Sequence, residues 1–299
     1  MLKKIAGYVN RWKRRDEEYR KELLNLRESF SSEISELKDT ILENNRQIGQ
    51  DITTIINRMG LDVNLRTQRQ FEIFSLHKDT FSRFKGINSQ KSVVLVATGP
   101  TVNQFEASLV NDAVYIGVNK AFLLSNITFD YLFAIDKASI ADVYEDFFSY
   151  ECTKFVGDQN LGPAFQIPES YMLKNNVLRY KTTANLFPDV FFQDIDTAPL
   201  ANSCSVAIQA MQFALFTNPR KIYLVGNDCT VSKAEHFYTN PESFRNNLNL
   251  REEPLANNEQ NLLASWRAIK EFAKLYYPET EIISVNPVNL KGLFKEVEL

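Results

Sequence analysis

The sequence contains little cysteine, little histidine and no long hydrophobic segment. Its three cysteines, Cys152, Cys204 and Cys229, are far apart and follow neither a CxxC nor a Cys/His metal-ligand spacing. This argues against a disulfide framework and a structural zinc site, and it is typical of a reducing compartment. No apolar run approaches the roughly 18 residues of a membrane-spanning helix, and no signal-peptide pattern is found. We therefore expect a cytoplasmic protein.

An excess of basic residues is also absent. Lysine and arginine number 34 against 37 aspartate and glutamate, and the pI is near 5.6. A chain with this balance has no general attraction for nucleic acid, so we expect no nucleic-acid partner. With 299 residues, of which 44% are hydrophobic, the chain is long enough for one large domain with its own core and an appendage.

Proline is missing from residues 1–60, where apolar residues recur at intervals of three and four. This periodicity predicts an α-helical coiled-coil arm, about 85 to 90 Å long, and hence a homo-oligomer. Two stutters, from Phe30 to Ile34 and from Ile48 to Ile52, interrupt the heptads, and Asn44 stands where the seam requires an apolar residue. Seam residues that are interrupted by stutters do not choose clearly between two, three and four strands.

Six basic residues surround a tryptophan-containing apolar stripe within residues 1–15. They are Lys3, Lys4, Arg11, Lys13, Arg14 and Arg15. Such a pattern is typical of a helix on an anionic lipid surface, and equally of the solvated tip of a coiled coil. Peripheral contact with the inner face of the plasma membrane is one expectation, and a partner protein is another. Residues 61–90, which include His77 and four phenylalanines, are predicted to form a helical connector.

Residues 91–299 alternate short apolar runs with helical patterns. The runs predict strands at 93–96, 113–118, 129–135, 152–156, 221–225 and 281–285, with helices at 102–109, 140–147, 206–216 and 259–276. This alternation predicts an α/β fold with a Rossmann-like, doubly wound and mainly parallel sheet. The polar, asparagine-rich stretch 231–258 is a candidate lid.

Small and polar residues follow several of these predicted strands. They are Thr98, Gly99, Pro100 and Thr101 after the first, Asn119 after the second, Asn202, Ser203 and Ser205 before an apolar helix, and Gly226 and Asp228 after the fifth. The first group matches neither a Walker loop nor GxGxxG. Because carboxyl ends of parallel strands share one edge of a sheet, we expect these residues to line a common phosphate-binding crevice.

In these fragments the sequence resembles the bacterial sialyltransferases of glycosyltransferase family 42, and the related flagellin-modifying and pterin pyrophosphokinase-like domains. The resemblance covers roughly residues 92–295, excludes the arm and implies a variant of the GT-A fold. It implies that Thr98–Thr101 and Asn119 contact a cytidine monophosphate (CMP) sugar, with Thr98 where the family has asparagine. It also implies that Asn202–Ser205 hold the sugar carboxylate and phosphate, and that Gly226 and Asp228 lie near cytosine and ribose.

A transferase of this kind benefits from a general base with a pKa near neutrality. The chain has only two histidines, and His236, at the start of the candidate lid, is the first candidate. The family's base is a lid histidine further along, where this chain has Asn and Glu. Asp136 and Asp228, which follow strands, are the alternative catalytic residues.

The resemblance implies an inverting enzyme that transfers an acidic sugar of the sialic acid or Kdo type from a CMP donor to a cell-surface glycan. No cofactor and no divalent metal are expected, because amides and hydroxyls can meet the charge of the leaving group. Asp194-Ile195-Asp196 nevertheless has the DxD form of a metal-binding motif. Two alternatives stay open: a Mg²⁺-dependent pyrophosphokinase-like or flagellin-modifying enzyme, and a non-catalytic coiled-coil scaffold.

Overall fold

The computed structural model describes residues 2–135, 137–158, 169–183, 189–203, 205–230, 236–238 and 255–298. The chain divides into two compact units, Met1–Gln68 and Arg69–Leu299. The first unit is entirely helical in its described residues, and the second contains the sheet. None of the helices in these ranges combines the length and hydropathy that a membrane crossing requires.

Helix α1, Leu2–Phe81, runs for 80 residues. The absence of proline permits this length, and a Cβ added to either of the two glycines within 17–60 would meet nothing within 4 Å. The helix passes residue 60 without a break, so the segment predicted as a connector begins as its continuation. The side chains of residues 2–16, which carry the basic cluster, lie outside the described residues.

The sheet has eight strands, in the order β5-β4-β3-β2-β1-β6-β7-β8, and every neighbouring pair is parallel. The strands are β1 Ser92–Val96, β2 Ala113–Val118, β3 Tyr131–Ala134, β4 Thr153–Asp158, β5 Val177–Lys181, β6 Lys221–Val225, β7 Glu281–Val285 and β8 Lys295–Val297. The sequence is wound outward in both directions from β1. The predicted doubly wound α/β fold is therefore confirmed.

In the described residues, four further α-helices accompany the strands: α2 Tyr144–Ser149, α3 Glu169–Lys174, α4 Val206–Phe216 and α5 Leu255–Tyr276. The predicted helix at 102–109 is wrong, because this stretch forms two 3-10 turns, Pro100–Gln104 and Ala107–Leu109. Between them Phe105 is extended and buried. The extended backbone of Phe105 and Glu106 divides the stretch, so it cannot form a continuous helix.

Alternate residues of β1 enter separate apolar clusters on the two faces of the sheet. Val93 and Leu95 join the cluster that contains α4, whereas Val94 and Val96 join the cluster that contains Phe147 and Phe148 of α2. All eleven residues of α4 are buried. Both faces are thus covered by apolar groups, as a parallel sheet requires. The ends of the strands are left for polar chemistry.

The C-terminal end of α1 packs into the first of these clusters. Phe81 is completely buried and its ring stacks 5.5 Å from that of Phe155. His77, one turn earlier, is also completely buried: its Nδ1 lies 2.8 Å from the carbonyl of Ile195, and its Nε2 accepts the amide of Lys181 at 2.7 Å. This pairing requires the neutral imidazole with its proton on Nδ1.

We expect His77→Leu to lower the free energy of unfolding by about 2 to 3 kcal/mol at pH 7.5, because it leaves two buried backbone groups unpaired. Burial, and then the charge of Lys181, lower the pKa of His77. In the unfolded chain His77 has its usual pKa of about 6.5 and binds a proton below that pH. The stabilisation that His77 gives to the folded protein therefore declines as the pH falls from there. Urea unfolding at pH 7.5 and 5.5 tests this. The difference in the free energy of unfolding between the wild type and His77→Leu is expected to be smaller at pH 5.5. A difference that does not change with pH contradicts it.

Candidate functional site

The strand order reverses between β1 and β6, and the loops that follow these two strands meet at their carboxyl ends. Backbone pairing continues beyond both strands: Ala97 N–H donates to Val225 O, and Gly99 N–H donates to Gly226 O, each at 2.8 Å. Open α/β sheets bind ligands in the crevice at such a switch point. The two hydrogen bonds set the Thr98–Thr101 turn beside Gly226–Asp228 at this switch point.

Two glycines permit the close approach of these loops. A Cβ on Gly99 would lie 2.5 Å from both the Asp228 carboxylate and the carbonyl of Gly226. Gly226 itself has a φ of +66°, and a Cβ there would lie 2.8 Å from the carbonyl of Ala97. Glycine is thus required at both positions for steric reasons, which the sequence resemblance alone does not explain.

The carboxylate of Asp228 holds the Thr98–Thr101 turn in place. Asp228 is 5% exposed, and its carboxylate accepts the backbone N–H of Thr101 at 3.0 Å as well as the Thr101 hydroxyl. Its own carbonyl accepts Asn289 N–H at 3.2 Å. In the described residues this carboxylate thus acts as an anchor for the turn, and its predicted contact with a nucleotide is not tested.

His236 docks directly on the same turn. Its Nδ1 lies 2.7 Å from Thr98 Oγ1, and the next residue, Phe237, donates its N–H to Thr98 O at 2.9 Å. The contact between His236 and Thr98 joins residues 138 positions apart in the sequence. Of the rest of the candidate lid, 231–235 and 239–254 lie outside the described residues, as does Asp136, and 255–258 form the first turn of α5.

The surroundings of His236 favour its neutral form. Burial lowers its pKa, the nearby charge of Lys120 lowers it further, and a hydrogen bond to the backbone of Thr98 raises it. Tyr238 stacks on the imidazole with ring centroids 5.1 Å apart and planes at 9°. The combined shift is downward, so the ring is an unprotonated group at neutral pH.

Lys120 is a site residue that the sequence interpretation missed. Its Nζ lies 4.7 Å from the centre of the Tyr238 ring and 2.6 Å from a carboxylate oxygen of Asp142. The only signal in the sequence was its position directly after Asn119. Asn119 has a φ of +50° and accepts the Ser139 hydroxyl at 3.1 Å, which fixes the loop that carries Lys120.

The start of α4 lies at the same edge of the sheet, because α4 runs back to the start of β6 through a four-residue connection. Ser205 is its N-cap and accepts the amide of Ala207 at 3.2 Å. The Ser203 hydroxyl donates to Ser205 O at 2.8 Å, and Asn202 N–H donates to Thr183 Oγ1 at 2.9 Å. Within the described residues no hydrogen bond joins Ser203 or Ser205 to the Thr98–Thr101 turn.

The DxD sequence serves a structural purpose in its described contacts. Asp194 pairs with Lys85, and the carbonyl of Ile195 receives His77. In the part of the chain that the structure describes, no group of three or more His, Cys, Asp or Glu side chains could hold a metal ion.

The structure therefore brings Thr98, Gly99, Thr101, Gly226, Asp228 and His236 into one connected group. Asn119 precedes Lys120, whose ammonium group lies over the ring of Tyr238 next to this group. The N-terminus of α4 lies at the same end of the strands. Hydroxyls, backbone amides and a helix N-terminus bind anions, and a neutral imidazole accepts a proton. Such a set suits group transfer with an anionic leaving group.

No protein-family model matches the sequence, and no curated protein matches it significantly. Two solved structures are similar to it. The sialyltransferase CstII from Campylobacter jejuni, in complex with the substrate analogue CMP-3FNeuAc, is 13% identical, with a TM-score of 0.37 over 65% of this chain and 81% of that one. A Tyr-to-Phe variant of the sialyltransferase Cst-II in complex with CMP is 14% identical, with a TM-score of 0.36 over 65% and 80%. At these TM-scores the fold rests on the strand order, and the function rests on the residues of the site.

Proposed function

We propose that this protein is a glycosyltransferase that moves an acidic sugar, of the sialic acid or Kdo type, from a CMP-activated donor to a cell-surface glycan. The observation that carries the proposal is the contact of His236 with Thr98, at the crevice between β1 and β6. A neutral imidazole, together with the Thr98 hydroxyl and the helix N-terminus of α4 at the carboxyl ends of the same strands, is the set of groups that such a transfer needs.

The donor phosphate has two suitable binding groups at this edge. The amides at the start of α4 attract negative charge, because the helix dipole is positive there. The Thr98–Thr101 turn adds the hydroxyl of Thr98, which keeps its own proton when it accepts Nδ1–H of His236, and Lys120 adds a cation close to His236. Together they neutralise the charge that develops on CMP as it leaves.

His236 is the proposed base. With Nδ1–H donating to Thr98, the lone pair is on Nε2, which makes no hydrogen bond to any described residue. The acceptor hydroxyl loses its proton to Nε2 while its oxygen bonds to the anomeric carbon. The bond from that carbon to the phosphate oxygen breaks, and CMP leaves with the electron pair, which gives inversion. The reaction needs no metal in this scheme.

A thermal-shift panel of CMP, CDP, UDP, GDP and ATP, each with Mg²⁺ and with EDTA, tests the donor class. We expect CMP to raise the melting temperature in EDTA as much as in Mg²⁺, because the proposed reaction needs no metal. A ligand at 100 times its dissociation constant stabilises the folded protein by about 2.7 kcal/mol. A shift with ATP only in Mg²⁺ would instead favour a pyrophosphokinase-like enzyme. The absence of any shift would favour a non-catalytic scaffold, and either result contradicts the proposal.

A further inference from the structure

An apolar seam of α1 is exposed along almost forty residues. Its members are Leu23, Leu26, Phe30, Ile34, Leu37, Ile41, Ile48, Ile52, Ile55 and Met59. Each is more than half exposed, from 51% at Ile41 to 67% at Ile34. The positions between them carry mainly polar and charged side chains, with Leu24, Leu42 and Ile56 as the large apolar exceptions. A helix with such a stripe is stable in water only when another apolar surface covers it.

The spacing of the seam restricts what can cover it. Ile34 and Ile52, the residues that follow the two stutters, are 18 positions apart, and 18 residues make about five α-helical turns. The stutters thus cancel the drift that strict heptads would produce, and the seam runs along a straight helix. The covering surface must be an equally long, straight stripe with the same spacing, which a second copy of this chain supplies.

Charge indicates the relative direction of the two copies. When two seams align in parallel and in register, Glu22 faces Arg27 of the second copy, and Glu33 faces Lys38 of the second copy. These are the flanking positions at which opposite charges select partner and orientation in coiled coils. Both pairs are attractive, and all four side chains are exposed in the single chain.

Asn44 supports the same alignment. In a parallel, in-register pair it faces its own copy, so the two amides can hydrogen-bond within the seam. An antiparallel pair centred on Asn44 would set Ile41 against Gln47 and Ile48 against Thr40. Any other antiparallel alignment that keeps seam residues opposite seam residues would place the amide of Asn44 against an apolar side chain.

The branching of the seam residues indicates the number of strands. Ile34, Ile41, Ile48 and Ile52 occupy one class of seam position, and the other class holds Leu26, Leu37, Asn44 and Ile55. β-Branched residues at the first class with leucine at the second favour two strands over three or four. We propose that residues 20–61 of two copies form a parallel, in-register, two-stranded coiled coil, so that the protein is a dimer.

The first experiment measures the mass of the full chain by sedimentation equilibrium, where a dimer is expected. The double variant Ile41→Asp/Ile48→Asp should become monomeric, with a dissociation constant raised at least about 100-fold, because it buries charge in the seam. Its near-UV circular dichroism should be unchanged, which shows that the sheet unit is folded. A wild-type mass of one, three or four chains overturns the proposal, and so does a double variant that stays dimeric.

The second experiment tests direction and register by oxidation of Leu37→Cys in the full chain. A parallel, in-register pair sets the two new thiols opposite each other, so a cross-linked dimer is expected. The matched control is Asp39→Cys, on the opposite face of the helix, which should cross-link at the level of the unsubstituted chain. Burial raises the pKa of Cys152 and Cys229 to about 12 in each case, so these native thiols should contribute little. Equal cross-linking of the two variants overturns the proposed register.

The third experiment reverses the flanking charges. Glu33→Lys and Lys38→Glu should each weaken the dimer several-fold at low salt, and the combination should restore it, because the pair is attractive again in reverse. Asp39→Lys, outside the proposed interface, serves as the control. A double variant no tighter than the single variants overturns the parallel alignment. None of these outcomes depends on nucleotide binding, so the dimer and the proposed function fail independently.

Discussion

Replacing Gly99 with alanine is expected to lower the free energy of unfolding by about 2 to 4 kcal/mol and to abolish the thermal shift with CMP. The added Cβ would lie 2.5 Å from the carboxylate of Asp228 and from the carbonyl of Gly226. Relief of these contacts must separate the loop after β1 from the loop after β6, and the crevice lies between them. Urea unfolding and the CMP titration measure the two effects.

A second variant identifies which of these contacts matters more. Asp228→Ala removes the carboxylate but leaves the backbone carbonyl of Gly226, so Gly99→Ala/Asp228→Ala should remain impaired. Gly49→Ala is the matched control, because a Cβ there meets nothing within 4 Å and alanine is the better helix former. Wild-type stability together with a normal CMP shift in Gly99→Ala would falsify the close approach of the two loops.

Sequence patterns predicted the central strands because these strands are buried on both faces and each therefore contains an apolar run. The two strands that were missed, β5 and β8, form the two edges of the sheet. β5 includes Arg179 and Lys181, and β8 begins with two charged residues before Val297. An edge strand has a neighbour on one side only and tolerates charge, which also discourages pairing with other chains. The lack of an apolar run thus follows from position in the sheet.

The candidate site was predictable where its residues follow strands, because a parallel sheet collects those positions at one edge. Thr98, Gly226 and Asp228 belong to this class. Lys120 and the partners of His77 do not, since their roles depend on contacts across more than a hundred residues of sequence. A lysine is ordinary on any surface, and only the folded chain sets this one beside His236 and Tyr238.

His236→Ala is expected to lower kcat by about 10² to 10⁴, the range that a general base contributes, while the CMP-dependent thermal shift stays close to that of the wild type. The rate of CMP release from CMP-activated sialic acid or Kdo, in the presence of a glycan acceptor, measures the effect. His236→Gln serves as a second variant, because its amide can still bond to Thr98 but cannot accept a proton as a base does. Recovery of the rate by glutamine would assign His236 a positioning role.

The pH dependence gives the sharper test of the same base. Burial and Lys120 lower the pKa of His236, so the neutral, active form persists below the usual pKa of about 6.5, and kcat should fall only at more acidic pH. Lys120→Met removes a positive charge that opposes protonation, so it should move the acidic limb of the kcat profile to higher pH. Asp142→Asn is the control, since it removes the ion-pair partner but leaves the lysine charge in place. An acidic limb that Lys120→Met leaves unmoved would mean that the titrating base is another group.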